Sequence, residues 1–291
     1  MATLRALTFD LWQTLILDSS ITLRKARELR IQGISAGLEE LGFRVKDKAV
    51  AAAYEASCER IGELWGAHRD VGSRGQVLLI LECLDPGLAK KVDERGLAQL
   101  ERAYAGVILE AMPVLNTGAK AALSWAKLNT LKVALISNTG RTPGTMLRKV
   151  LEHFGVARYF DVISFSDEIG VRKPHPDIFT RTLSALGVPP EAALHVGDDP
   201  IADVGGAKSV GMMAIHLRRP ADADPPVPAD ATIFNLQDVL RLVEPLLAAD
   251  RGFSPNSRCQ RLSEGLSRLL IPDPTAETAS GFTASYLYLD K

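Results

Sequence analysis

Apolar and polar positions along this chain follow two different periods, and the changes between them divide the sequence. Residues 4–9 (LRALTF) read as a strand ending at Asp10. From about Ile21 the spacing becomes helical: Ile31, Ile34, Leu38 and Leu41 recur on one face, and Gly42 is placed to end that helix. Val50, Tyr54, Ile61 and Trp65 mark one side of a second helix. Residues 76–84 and 88–111 continue the helical reading across the turn signal Asp85-Pro86-Gly87. Nothing in this stretch of roughly 95 residues reads as a strand, and its size suits a small helical bundle.

From Pro113 onward strands and helices alternate. A helix over about 117–127 leads into "LKVALI", then a helix over about 143–154, then "FDVISF" and a helix beginning near Pro176. "ALHVG", a helix after Pro200, "MAIHL", "ATIF" and a last helix ending near Ala248 complete the series. Short apolar strands alternating with helices predict an α/β fold, a parallel sheet with helices on both faces. The strand at 4–9 belongs to that sheet, so the helical block is an insertion after its first strand. The predicted units are residues 1–17 with 113–249 for the α/β core, 18–112 for the helical insertion, and 250–291 for a tail. The tail mixes Ser, Pro and Gly with one short apolar patch and is expected to be disordered or docked on the surface.

Composition narrows the function without naming it. A formal net charge of -1 supplies no basic field for nucleic acid or an anionic membrane, so any phosphate recognition is local. No apolar run has membrane-spanning length, and the N-terminus lacks a cleavage pattern. The three cysteines are scattered without CxxC spacing, which suits a reducing compartment and predicts a cytoplasmic protein.

The chemistry-bearing residues stand at strand ends. Asp10 follows the first strand; Ser137, Asn138, Thr139 and Gly140 follow "LKVALI"; Lys173 stands in "GVRKPHPDIF"; Asp198, Asp199 and Asp203 follow "ALHVG". Ligands of open α/β sheets bind beyond these carboxyl ends, so the set converges on one edge. Carboxylates from different strands can hold Mg²⁺, and a carboxylate that attacks phosphorus forms an aspartyl-phosphate. Ser137 and the following N–H groups can cradle phosphate oxygens, and Lys173 can neutralise charge on nucleophile and phosphoryl group.

"FDLWQTL", "LISNTG", "VRKPHPDIF" and "HVGDDPIAD" together resemble the four ordered motifs of the haloacid dehalogenase-like hydrolase superfamily, over about residues 4–217. The resemblance implies a Rossmann-like core with an inserted α-helical cap, as in the family's first subfamily. It implies Asp10 as nucleophile and metal ligand, Ser137 and Asn138 as phosphate binders, and Lys173 as the charge-neutralising lysine. Asp198 matches the second metal-binding carboxylate, Asp199 and Asp203 support it, and Trp12 contributes a backbone carbonyl to the Mg²⁺ site. The implied substrate is a small phosphorylated metabolite.

Trp12 departs from the pattern. Phosphatases of the family carry Asp there, which protonates the leaving group; Trp12 cannot, and Gln13 replaces the usual glycine. Haloacid dehalogenases carry an aromatic Tyr there but lack the "GDD" run kept here at 197–199. Three readings follow: a Mg²⁺-dependent phosphatase suited to good leaving groups or served by another proton donor such as Gln13, Asp18 or a cap residue; a 2-haloacid dehalogenase; or a weakly active module that binds phosphate ligands or proteins. His195, inside an apolar strand, reads as a satisfied core histidine. Trp65 and Trp125 read as packing residues, and the arginines of "LRKARELR" as a solvated helix face from which one can face the substrate.

Overall fold

The opening run becomes β1 (Ala6–Phe9), buried along its whole length, as a continuous apolar strand in a two-sided sheet requires. The computed structural model describes residues 3–219 and 226–249; the tail predicted over 250–291 lies outside the described residues. β2 (Ile16–Leu17) precedes the helical insertion: α1 (Ser20–Glu40), α2 (Asp47–Gly66), α3 (Ser73–Leu84), α4 (Leu88–Lys91) and α5 (Glu94–Ala105). β3 (Val114–Leu115) pairs antiparallel with β2, so a two-stranded ribbon joins the points where the chain leaves and regains the core. Strands of two residues carry no readable period, and this ribbon has no signal in the sequence.

The core then follows the alternating pattern: α6 (Ala119–Leu128), β4 (Lys132–Ser137), α7 (Gly144–His153), β5 (Val162–Phe165), α8 (Ser166–Ile169) and α9 (Pro176–Leu186). β6 (Ala193–Gly197), a π-helical turn (Pro200–Gly205), α10 (Gly206–Ser209), β7 (Met213–Leu217), β8 (Ala231–Ile233) and α11 (Asp238–Ala249) complete it. Six parallel strands form the sheet in the order β5-β4-β1-β6-β7-β8. Side chains alternate across it. Leu7, Phe9, Leu135, Val196 and Ile215 join the core on one face with α6, α7 and α11, while Ala6, Ala134, Ile136 and Ala214 meet α9 and α10 on the other. Each fully buried Leu, Ile or Phe contributes about 1.5–3 kcal/mol relative to exposure.

Local signals set the helix ends. Ser19 caps α1 through a capping box with Thr22, and Gly42, at φ +84°, takes the left-handed position just past its end. Pro176 opens α9 and Gly187, at φ +66°, closes it. The helical reading over 88–111 breaks into α4, α5 and a 3₁₀ turn, because the Asp93 carboxylate accepts from Gly96 N–H and starts α5 afresh. The insertion has a core of its own, in which Ile34, Leu38, Tyr54, Ile80, Leu81 and Leu100 are buried. Among the described residues no helix is long and apolar enough to cross a membrane.

Candidate active site

The neighbours of β1 lead the chain in opposite directions, β4 towards β5 and β6 towards β7. Such a switch point opens a crevice at the carboxyl ends of the strands, and Asp10 stands at it. Its N–H donates to the Val196 carbonyl (2.9 Å), which ties the end of β1 to β6. Lys173 reaches in from the loop before α9: Nζ donates to Asp10 Oδ1 (2.6 Å), Asp203 Oδ1 (2.5 Å) and the Ile136 carbonyl (2.8 Å). Asn138 clamps the backbone of that lysine from both sides, Nδ2 donating to its carbonyl (3.0 Å) and Oδ1 accepting from its N–H (2.7 Å). Ser137 is fully buried at the end of β4. The turn after β4 and the lysine loop are therefore one locked unit.

Burial pushes the Asp10 carboxyl up to about 6, and the charge of Asp203 adds to the rise against the opposing pull of Lys173. Burial alone would lower the lysine, but Asp10 and Asp203 outweigh it and hold it as an ammonium above its ordinary range. Asp203 is also buried, yet Lys173 and His195 hold it below the usual carboxylate range. Its oxygens are engaged: Oδ1 by Lys173 and by His195 Nε2 (3.0 Å), Oδ2 by the Asp199 N–H (2.9 Å).

Asp10, Asp198 and Asp203 each bring an oxygen within 4.8 Å of the others, all three buried. Three carboxylates meet one buried ammonium there, with half-exposed Arg219 reaching Asp198 Oδ2 at 3.1 Å. An all-oxygen donor set with excess negative charge fits a hard divalent cation.

The other residues singled out in the sequence are placed as follows. Asp199 caps the π-helical turn, its Oδ1 accepting from the N–H groups of Ile201 and Ala202 (2.8 and 2.7 Å). Trp12 is 7% exposed and joins the apolar core with Leu11 and Leu15, two residues past Asp10. Gln13 Nε2 donates to Asp18 Oδ1. His195 has both ring nitrogens occupied, by Thr8 Oγ1 (2.8 Å) and Asp203, so the satisfied core histidine is also a support of the site. Gly197 is required: a Cβ there would run into the Asp203 carboxylate.

The contact between insertion and core has no sequence signal. Arg69 and Val171 form an antiparallel bridge, and the Asp70 carboxylate accepts from Arg172 Nη1 (2.6 Å), Ser166 Oγ (2.5 Å) and Thr139 Oγ1 (3.1 Å). The Arg172 guanidinium lies 4.2 Å from the centroid of the Trp65 ring, so Trp65, expected as a packing residue, instead grips the loop that delivers Lys173.

Comparison with known proteins follows the same lines. The family model for haloacid dehalogenase-like hydrolases matches residues 4–211. A phosphoserine phosphatase of Thermus thermophilus is 30% identical over 249 residues, covering 81% of this chain and 98% of the relative. A phospholysine phosphohistidine inorganic pyrophosphate phosphatase of Mus musculus is 28% identical over 218 residues, covering 71% and 73%. Among solved structures, a 2-haloacid dehalogenase from Pseudomonas syringae pv. Tomato superposes with a TM-score of 0.60 at 23% identity, covering 86% of this chain and all of that one. That last likeness concerns the fold alone. The matched residues contain Asp10, the turn at Ser137, Lys173 and the carboxylates at 198–203, and the chain belongs to the haloacid dehalogenase-like hydrolases.

Proposed function

We propose that this hydrolase is a cytoplasmic, Mg²⁺-dependent phosphatase acting on a small phosphorylated metabolite through an aspartyl-phosphate on Asp10. The observation that carries the reading is the buried contact of Lys173 with both Asp10 and Asp203, beside Asp198. The phosphatase relatives support the class of reaction.

In this reading Asp10 and Asp198, with the Trp12 carbonyl, hold the Mg²⁺, which supplies charge neutralisation at the phosphoryl oxygens. The Ser137 hydroxyl and the Asn138 N–H orient the phosphate, since the Thr139 N–H is already donated to Ser166 Oγ (2.8 Å). The Asp10 carboxylate forms a bond to phosphorus as the bond to the leaving oxygen breaks; Lys173 keeps the nucleophile ionised and its own position fixed through Asp203. Water then attacks phosphorus, releasing inorganic phosphate and restoring Asp10. The indole of Trp12 gives no proton to the leaving oxygen, and a missing general acid costs about 10²–10⁴-fold. The preferred substrates are therefore phosphates with good leaving groups, such as acyl or aryl phosphates, unless a cap residue or Asp18 supplies the proton. The test is hydrolysis of an aryl phosphate with Mg²⁺ and with chelator: activity only with the metal, lost in Asp10→Asn, supports the reading, and undiminished Asp10→Asn activity rejects it.

A second reading, 2-haloacid dehalogenase, is favoured by one observation, the apolar burial of Trp12 where no acid is needed for halide to depart. Metal-independent chloride release from 2-chloropropionate would establish it. The absence of turnover on both substrates, with Mg²⁺-linked stabilisation by a phosphate mimic, would point to a ligand-binding module.

A further inference from the structure

The loop that follows α2 in the insertion lies against the loop that delivers Lys173. The bridge between Arg69 and Val171 is built by two backbone hydrogen bonds: the Arg172 N–H donates to the His68 carbonyl (3.0 Å), and the Asp70 N–H to the Gly170 carbonyl (3.3 Å). The Asp70 side chain is fully buried there, and that of Arg172 is 10% exposed. Besides its bond to Asp70, Arg172 Nη1 donates to the Thr139 carbonyl. The Thr139 N–H is held by Ser166 Oγ (2.8 Å), whose own hydroxyl donates to Asp70.

These contacts close a ring. Asp70 holds Arg172, and the next residue is Lys173, whose backbone is clamped by Asn138. Thr139 follows Asn138 and returns to Asp70 through its hydroxyl (3.1 Å). Every link is a hydrogen bond or a run of chain, so Asp70 pulls on the lysine loop and on the turn after Ser137 together. Other insertion residues reach that turn outside the ring: Arg30 bonds Thr142, and Gln76 bonds the Gly140 carbonyl. Charge decides the direction of the effect. A buried guanidinium deprived of its carboxylate is left uncompensated and turns towards water. Arg172 then leaves Thr139 and draws with it the backbone that precedes Lys173. Lys173 Nζ has to meet three acceptors at once, and a misplacement of about 1 Å can cost about 10²-fold in rate.

We propose that Asp70 is a positioning residue for the reaction: an acid of the insertion that fixes Lys173 and the phosphate turn through Arg172 and Thr139. The catalytic lysine is therefore held in register only while the insertion is seated on the core. The inference rests on the phosphatase reading for the role of Lys173, but the positional link itself does not need turnover.

The test is hydrogen–deuterium exchange of the full chain without substrate, comparing the unmodified protein with Asp70→Asn. The Arg172 N–H bonds the insertion directly, whereas the partners of the Lys173 and Thr139 N–H groups, Asn138 and Ser166, belong to the core. A role confined to the interface speeds Arg172 alone. The proposal predicts that Lys173 and Thr139 also exchange roughly tenfold or more faster, while the β6 amides keep their rates. Asp85→Asn, which breaks an exposed pair with Lys91 on the insertion, should leave all of them unchanged. Acceleration of Arg172 alone, of none, or of β6 to the same degree overturns the proposal. Trp65→Leu, which bares the Arg172 guanidinium, is read in the same way should Asp70→Asn fail to fold. With aryl phosphate, kcat of Asp70→Asn should fall roughly tenfold or more with KM within about twofold, and an unchanged kcat rejects the link to the reaction. If the unmodified protein leaves aryl phosphate intact, the phosphatase reading fails, and the exchange pattern alone decides whether Asp70 fixes Lys173.

Discussion

Lys173 Nζ lies 2.6 Å from Asp10 Oδ1, with both groups buried at the end of β1. The same ammonium bonds Asp203 Oδ1, so one cation offsets two carboxylates taken out of water. Lys173→Met removes it and leaves both acids uncompensated. The variant should lose about 3–5 kcal/mol of stability in urea unfolding. Aryl phosphate hydrolysis should fall by about 10² or more, because Asp10, at about 6 even beside the lysine, then holds its proton more firmly.

Gly197→Ala tests the placement of Asp203. The added methyl meets the Asp203 carboxylate, which must shift away from Lys173 and His195. The expected result is a loss of stability of about 1–3 kcal/mol together with a drop in kcat. An unchanged kcat would show that the Asp203 contact does not position the lysine.

The carboxylate cluster should respond to the metal as a unit. Mg²⁺ at about one hundred times its Kd should raise stability by about 2.7 kcal/mol, and chelator should reverse the gain. Asp198→Asn should lose most of that gain in a thermal unfolding series.

Trp12→Asp separates proton transfer from the rest of the site. Rates on unactivated alkyl phosphates should rise relative to aryl phosphates if the acid alone is missing. The change also removes a ring from the apolar core, so stability should fall by about 3–5 kcal/mol.

Much of this site was legible in the sequence because most of its parts follow the end of a strand, while Lys173 comes from the loop before α9. The run before Asp10, the apolar "LKVALI" before Ser137 and "ALHVG" before Asp198 locate three of the groups on one sheet edge, and the structure places them there. Contacts between elements were not legible. Nothing in the spacing of Asp70, Trp65 and Arg172 announces that they meet, since the contact depends on how the insertion rests on the core. His195 illustrates the middle ground: an apolar strand predicts its burial, but only the fold reveals that its partner is Asp203. Arg30 looked like its solvated neighbours because a helix of many charges hides the one that turns inward.

Covalent chemistry on Asp10 is the centre of the account, and trapping the intermediate tests it most directly. The protein, turning over an acyl or aryl phosphate with Mg²⁺, is quenched with borohydride and its peptides are analysed by mass spectrometry. An aspartyl-phosphate is reduced to homoserine, so homoserine at position 10, dependent on substrate, is the expected result. Continued turnover with Asp10 unmodified, or homoserine at another aspartate, would contradict the assignment.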